Sequence, residues 1–187
     1  MHRLHFTLVL AAAALLFPSP VSRAQSVGQS TASAPIPPAL AAAKTIFLSN
    51  AGADSNLFPS SWSGLINDGP YSGQPSRGYD EFYADLAKSG RFQFASSPSA
   101  ADLVLGLRLL SPGGIDSYSK VGGPGTPPPM FRLVIRDRRS HYILWTLTQS
   151  VRSAQLQKTA DRNFDTAVHG LAQQFLQLAG PASATTP

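Results

Sequence analysis

Phe131-Arg-Leu-Val-Ile-Arg136, Asp137-Arg-Arg-Ser-His141 and Tyr142-Ile-Leu-Trp-Thr-Leu-Thr-Gln-Ser-Val151 follow one another without a break. The outer two stretches alternate apolar and polar residues, the period of a strand whose two faces see different surroundings. Two such runs joined by five residues predict an antiparallel β-hairpin. With Arg136 opposite Tyr142, the register sets Ile135 against Ile143, Leu133 against Trp145 and Phe131 against Leu147. That face is wholly apolar and has to be covered. The other face carries Arg132, Val134 and Arg136 beside Tyr142, Leu144 and Thr146, and Arg108 of a neighbouring strand projects to the same side.

Cover for the apolar face comes from the residues that follow. Phe164, Ala167, Val168, Leu171, Phe175 and Leu178 form one helical stripe from about Asp161 to Leu178, with Asp161 as N-cap and Gly180-Pro181 as stop. Upstream, Ala101-Asp-Leu-Val-Leu-Gly-Leu-Arg-Leu-Leu110 is the longest apolar run after the N-terminal one and reads as a central strand. Arg91-Phe-Gln-Phe-Ala95 alternates as a strand, and Lys44-Thr-Ile-Phe-Leu-Ser-Asn50 is another. Tyr79, Phe82, Tyr83 and Leu86 share one helical face, with Asp80 and Glu81 in the first turn, Lys88 in the last and Gly90 at the left-handed C-cap position. The order β-α-β-β-β-β-α predicts an α+β two-layer sandwich, a mixed sheet of about five strands with two helices on one face. Two long loops interrupt it, from Asn56 to Gly78 and from Ser111 to Met130.

The N-terminus points to export. Arg3 precedes an apolar run from Phe6 to Phe17, Pro18 and Pro20 break it, and Ser22-Arg23-Ala24 offers a signal-peptidase site. The run fits a signal core of ~7–15 residues and falls short of the ~20 that span a bilayer. Residues 1–24 are therefore expected to be a signal peptide, 25–43 a disordered lead rich in Ser, Ala, Gly and Pro, 44–180 a single α/β domain, and 181–187 a flexible tail. The expected compartment is periplasmic or extracellular. The chain has no cysteine, which removes disulfides, thiolate metal sites and a lipidated cysteine from consideration. Its formal net charge of +5 loses Arg3 and Arg23 with the signal. The remaining mild basicity does not reach that of a nucleic-acid binder and suits weak attraction to anionic envelope polymers.

Gly90-Arg-Phe-Gln-Phe-Ala-Ser-Ser-Pro-Ser-Ala-Ala-Asp-Leu-Val-Leu105 resembles a unit of secreted and envelope proteins of bacteria with a TolB N-terminal-like or CsgG-like α/β domain. Phe131-Arg-Leu-Val-Ile-Arg-Asp137 and Leu144-Trp-Thr-Leu-Thr148 are similar to the hairpin of the same group and of uncharacterised exported proteins like it. The resemblance spans about Lys44 to Gly180. It implies a binding or envelope-accessory domain, and it brings no catalytic residues. The lipidation cysteine, propeller and pore segment of those families have no counterpart here, so membrane assembly and pore roles do not carry over.

No residue cluster spells out a reaction. Asp80 and Glu81 are adjacent on a helix and do not face each other. Asp165 shares a face with Asp161, but with no third carboxylate nearby in sequence a helix-start role is the simpler reading over a hard-cation site. His141 and His169 lack metal-ligand spacing, and His169 with Asp165 is read as a surface pair. Ser63 and Ser72 lie outside any Gly-x-Ser-x-Gly, and Gly122-Gly-Pro-Gly125 lacks the Lys-Ser/Thr of a phosphate loop. Phe58, Trp62 and Tyr71 on the first long loop form either a ligand platform or, the preferred reading, a clasp that pins the loop.

The expectation is an exported, non-catalytic, envelope-associated interaction domain that needs no cofactor and no metal. Its candidate docking face is Arg108, Arg132, Arg136, Tyr142 and Thr146, for an envelope protein or an anionic envelope polymer. The alternative is a small secreted hydrolase with a site built from the two long loops. Intact-mass analysis of the secreted protein should give a chain that starts at Gln25, open or cyclised to pyroglutamate. A secreted chain that keeps residues before Pro18 contradicts the signal-peptide reading.

Overall fold

The computed structural model describes residues 34–54, 57–58, 69–111 and 127–181. The chain divides into two units, Met1–Ala34 and Pro35–Pro187, and every helix and strand described lies in the second. The order is α1 (Pro38–Ala42), β1 (Thr45–Ala53), α2 (Arg77–Ser89), β2 (Gln93–Phe94), a single 3-10 turn (Pro98–Ala100), β3 (Leu103–Leu110), β4 (Met130–Asp137), β5 (Ile143–Ser150) and α3 (Gln157–Ala179). The five strands form one mixed sheet in the order β2-β1-β3-β4-β5. β2 and β3 run parallel to β1, while β4 and β5 are antiparallel to their neighbours. The architecture is the expected α+β sheet, open at its edges, with three helices rather than two.

Period-two alternation decides what lies inside. Leu103, Leu105, Leu107 and Leu109 of β3 and Phe131, Leu133 and Ile135 of β4 are all buried, and the register sets Leu105 against Ile135, Leu107 against Leu133 and Leu109 against Phe131. Ile46 and Leu48 continue this face onto β1. Phe82 and Leu86 of α2 and Phe164, Val168, Leu171 and Phe175 of α3 meet it from the helical layer. Fully burying each of these large side chains is worth ~1.5–3 kcal/mol, which makes this the main stabilising surface of the domain.

Asp102 explains why β1 and β3 lie side by side in this register. Its carboxylate accepts the N–H groups of Thr45 and Lys44, each at 2.9 Å, and its own N–H donates to the Thr45 hydroxyl at 2.9 Å. The amides of Thr45 and Lys44 hold its carboxyl below the usual aspartate value. The Ala-Asp-Leu-Val-Leu motif is thus a start-of-strand clamp followed by core leucines.

Four expectations need correction. The lead assigned to residues 25–43 is not wholly disordered, because α1 buries Leu40 completely and Ala43 almost so. The guanidinium of Arg91 holds it there, donating to the carbonyls of Ala43, Ala41 and Gly180 at 2.9, 3.0 and 3.1 Å. Second, α3 starts at Gln157 with Leu156 in the cap position, so Asp161 lies in the second turn and is not an N-cap. Third, β1 runs on to Ala53 through an irregularity after Asn50, where the Asn50 side chain accepts the Gly52 N–H and Gly52 has a φ of 82°.

Fourth, the hairpin register differs. Ile135 faces Trp145, Leu133 faces Leu147 and Phe131 faces Gln149, while Arg136 faces Ile143 across a bulge at Leu144. The turn is the cause. The Asp137 carboxylate accepts the Ser140 N–H and hydroxyl, the His141 N–H donates to the Asp137 carbonyl, and His141 is left-handed with a φ of 61°. That compact turn ends with the Asp137 N–H bonded to the Tyr142 carbonyl, one step before the strand pairing resumes.

Gly78, in the first turn of α2, is where the two layers come closest. A methyl group there would sit 2.7 Å from Cε1 of Phe131 and 3.4 Å from Cζ of Phe164. Alanine in a helix ordinarily stabilises by up to about 1 kcal/mol over glycine. At this position overpacking outweighs that gain, and Gly78→Ala should destabilise the domain by about 1–3 kcal/mol in urea unfolding. An unchanged or raised midpoint would show that the Phe131 ring has room to move.

Candidate functional site

The outer rows of β3 and β4 contain no fully buried residue. Their register puts Arg108 directly opposite Arg132, Gly106 opposite Val134 and Val104 opposite Arg136. Like charges directly opposite each other on one sheet face repel. Arg108 is offset by Asp54, whose carboxylate it meets at 3.1 Å. Arg132 and Arg136 form no ion pair among the described residues. The Arg136 side chain reaches over Gly106, where an added Cβ would meet a guanidinium nitrogen at 3.6 Å, an ordinary contact. Thr146 adjoins Val134 and Thr148 adjoins Arg132. Arg108, Arg132, Arg136 and Thr146 therefore share one face as expected from the sequence. Tyr142 does not take its expected place opposite Arg136. The bulge gives that position to Ile143 and leaves Tyr142 at the end of the turn, 76% exposed.

Phe58 and Tyr71 offer no platform for a ligand. They are 4% and 2% exposed and pack on the ring of Phe164, with centroid separations of 6.0 and 5.0 Å. Phe164 in turn meets Phe131 edge to face at 5.0 Å. Both rings face the core, which corrects the platform alternative. Burial first, and then the nearby charge of Asp161, push the Tyr71 phenol well above its usual range, so it stays neutral. Trp62 lies outside the described residues.

Sequence reasoning missed the densest charge cluster. Arg77 lies with its guanidinium carbon 4.6 Å from the centroid of Phe164 and bonds Glu81 and Asp161, each at 2.8 Å, as well as Asp165 and the Ser72 carbonyl. Asp161 also accepts hydrogen bonds from the Ser72 N–H at 2.9 Å and from the Gln157 side-chain amide at 3.3 Å. Burial alone would raise its carboxyl, but the Ser72 bonds and Arg77 bring it below the ordinary value. Glu81 moves the other way, raised chiefly by burial and further by Asp165, against the pull of Arg77. The two (i, i+4) spacings, Arg77–Glu81 and Asp161–Asp165, were visible signals. What joined them across 84 residues was not. Every carboxylate here already serves the same cation, so the cluster is an ion-pair clasp between α2 and α3. Among the described residues no group of three His, Asp or Glu side chains is arranged to hold a metal ion.

The remaining candidates separate. His169 meets Asp85 of α2 at 3.1 Å rather than Asp165, and His141 sits exposed in the hairpin turn. Neither forms a hydrogen bond to a serine among the described residues. Asp80 is exposed, while its neighbour Glu81 turns to Arg77. Ser63 and Gly122 to Gly125 lie outside the described residues. A cleft of about 290 Å³ at the foot of the sheet is bounded by α1, Asp102, Asp137, Arg138 and Arg139. Its two carboxylates are committed, Asp102 to the start of β1 and Asp137 to Ser140.

The chain matches no protein-family model. It matches no curated protein either. Among solved structures it is similar to a DUF4136 family protein from Bacteroides thetaiotaomicron, at 12% identity over 75% of this chain and 90% of that one, with a TM-score of 0.48. It is similar to a DUF330 protein from Xanthomonas campestris, at 11% identity over 71% and 81% of the two chains, with a TM-score of 0.44. PelC from Paraburkholderia phytofirmans, a dodecamer, gives 11% identity over 75% and 89%, with a TM-score of 0.34. None of the three carries the TolB N-terminal-like or CsgG-like name that the sequence motifs resemble.

Proposed function

We propose that this chain is an exported, non-catalytic interaction domain of the bacterial cell envelope, and that its outer sheet face docks an anionic envelope polymer. The observation that carries this reading is the directly opposed pair Arg108 and Arg132, with Arg136 beyond them and Asp54 as the one carboxylate bonded to the set among the described residues. Such an arrangement costs stability in the free domain unless an anion relieves it. Arg132 and Arg136 are four residues apart on one strand, a spacing of ~13 Å at strand rise. Guanidinium groups in a fixed row fit repeated carboxylate or phosphate groups, which they engage through paired N–H donors. The signal-like N-terminus supports export, and the commitment of the polar clusters to structure supports a binding role over a chemical one.

Replacing Arg108, Arg132 and Arg136 with Ser tests it. The triple variant should fold as the parent does, yet bind isolated anionic envelope polymer roughly tenfold more weakly at low salt, as expected for the loss of a few exposed ionic contacts. Parent binding should fall as salt rises, and variant binding should respond less. Equal retention of parent and variant refutes the docking face.

A further inference from the structure

β5 is an edge strand that, apart from the bulge at Leu144 near its start, carries none of the devices that usually keep sheet edges apart. Ile143-Leu-Trp-Thr-Leu-Thr-Gln-Ser150 contains no charged residue and no proline. By contrast the opposite edge, β2, is two residues long. Five large hydrophobic side chains are left exposed among the described residues, and two of them lie at the start of β5: Tyr142 at 76%, just before the strand, and Ile143 at 57%, its first residue. Trp145 and Leu147 point to the core face beside Ile135 and Leu133, yet they are only partly buried where those neighbours are fully so.

The backbone shows which groups are open. The Val151 N–H donates to the Pro129 carbonyl at 2.8 Å. Alternation along an antiparallel ladder then turns Gln149, Leu147 and Trp145 toward β4, and turns the N–H and C=O of Thr146 and Thr148 toward the free edge. At Ser150 the carbonyl already accepts the Gln149 side-chain amide at 3.4 Å. Among the described residues, Thr146 and Thr148 are left as a matched pair of donors and acceptors about Leu147.

We infer that β5 pairs antiparallel with β5 of a second copy of this chain. A two-fold axis at Leu147 sets Thr146 opposite Thr148 of the second copy, and Thr148 opposite its Thr146, so all four open positions are satisfied by one register. The occupant is argued from the strand itself. An uncharged edge meets its equal with no like charges to bury, the two Leu147 side chains meet on the core side, and the half-covered Trp145 gains cover from the second copy. Because the axis is perpendicular to the sheet, both outer faces stay on one side, and the Arg108–Arg132 rows of the two copies lie on one continuous sheet.

Sedimentation and light scattering on the secreted full-length chain, with Thr148→Lys and Thr146→Pro beside it, test the pairing. Both substitutions act at open-edge positions, so the ladder to β4 keeps its bonds. The parent should have twice the mass of one chain and a melting midpoint that rises with protein concentration, and both variants the mass of one chain with an unchanged far-ultraviolet spectrum and a midpoint independent of concentration. The Thr146 and Thr148 amides should exchange slowly in the parent and roughly tenfold faster at Thr146 in Thr148→Lys. If Thr146→Pro fails to fold, Thr148→Lys decides alone. A monomeric parent overturns the inference, and slow exchange in such a monomer assigns the edge to a segment of the same chain. A folded Thr148→Lys that stays dimeric with slow Thr146 exchange overturns it as well, since it places the contact elsewhere.

Discussion

The guanidinium of Arg77 over the ring of Phe164 is the point from which the helical layer is built. The ring below it meets Phe58, Tyr71 and Phe131, and so joins the first long loop, α3 and the sheet. The charge above it binds Glu81 on its own helix and Asp161 and Asp165 on α3. Removing the cation would leave several carboxylates without their partner in a partly buried place, a loss that exceeds the worth of any one exposed pair. Gly78 is the geometric counterpart of the same junction, since only its missing side chain lets α2 approach Phe131.

Seen from this junction, the two sides of the sheet are differently finished. On the inner side the aromatic rings, the leucines of β3 and the charged clasp have partners within the fold. Tyr71 is kept neutral and Asp161 kept ionised by the same contacts that hold the loop down. On the outer side Arg132 and Arg136 form no ion pair among the described residues, and at the β5 edge backbone groups of Thr146 and Thr148 face outward. The proposed docking and the proposed strand pairing rest on these two open features.

Much of this was legible in the sequence because strand patterning is forgiving. The hairpin register expected from the sequence was off by two along most of β5, with Trp145 assigned to Leu133 instead of Ile135. A slip of two keeps every side chain on its own face, so the arginine row and the apolar row survived the error. The single-residue offset at the Leu144 bulge did not forgive, and it moved Tyr142 off the face. Helix α1 escaped notice because one leucine in a run of alanines and prolines carries almost no periodic signal, and its anchor, Arg91, acts through carbonyls of three residues distant in sequence. Asp102 stands inside the Gly90–Leu105 stretch, but its work on the amides of Lys44 and Thr45 depends on a parallel pairing that no local pattern reveals. Arg77 was overlooked for the same reason, since its deciding partners are on the last helix.

The dependence of the helical layer on the Arg77 clasp is tested most directly by a double-mutant cycle in urea unfolding with Arg77→Gln, Asp161→Asn and the pair. The two side chains bond directly, so their effects should not add, and the coupling should be about 1 kcal/mol or more. Effects that add to within about 0.5 kcal/mol would contradict the account, because they would make the clasp a surface ornament and leave the aromatic packing to hold α2 and α3 together by itself.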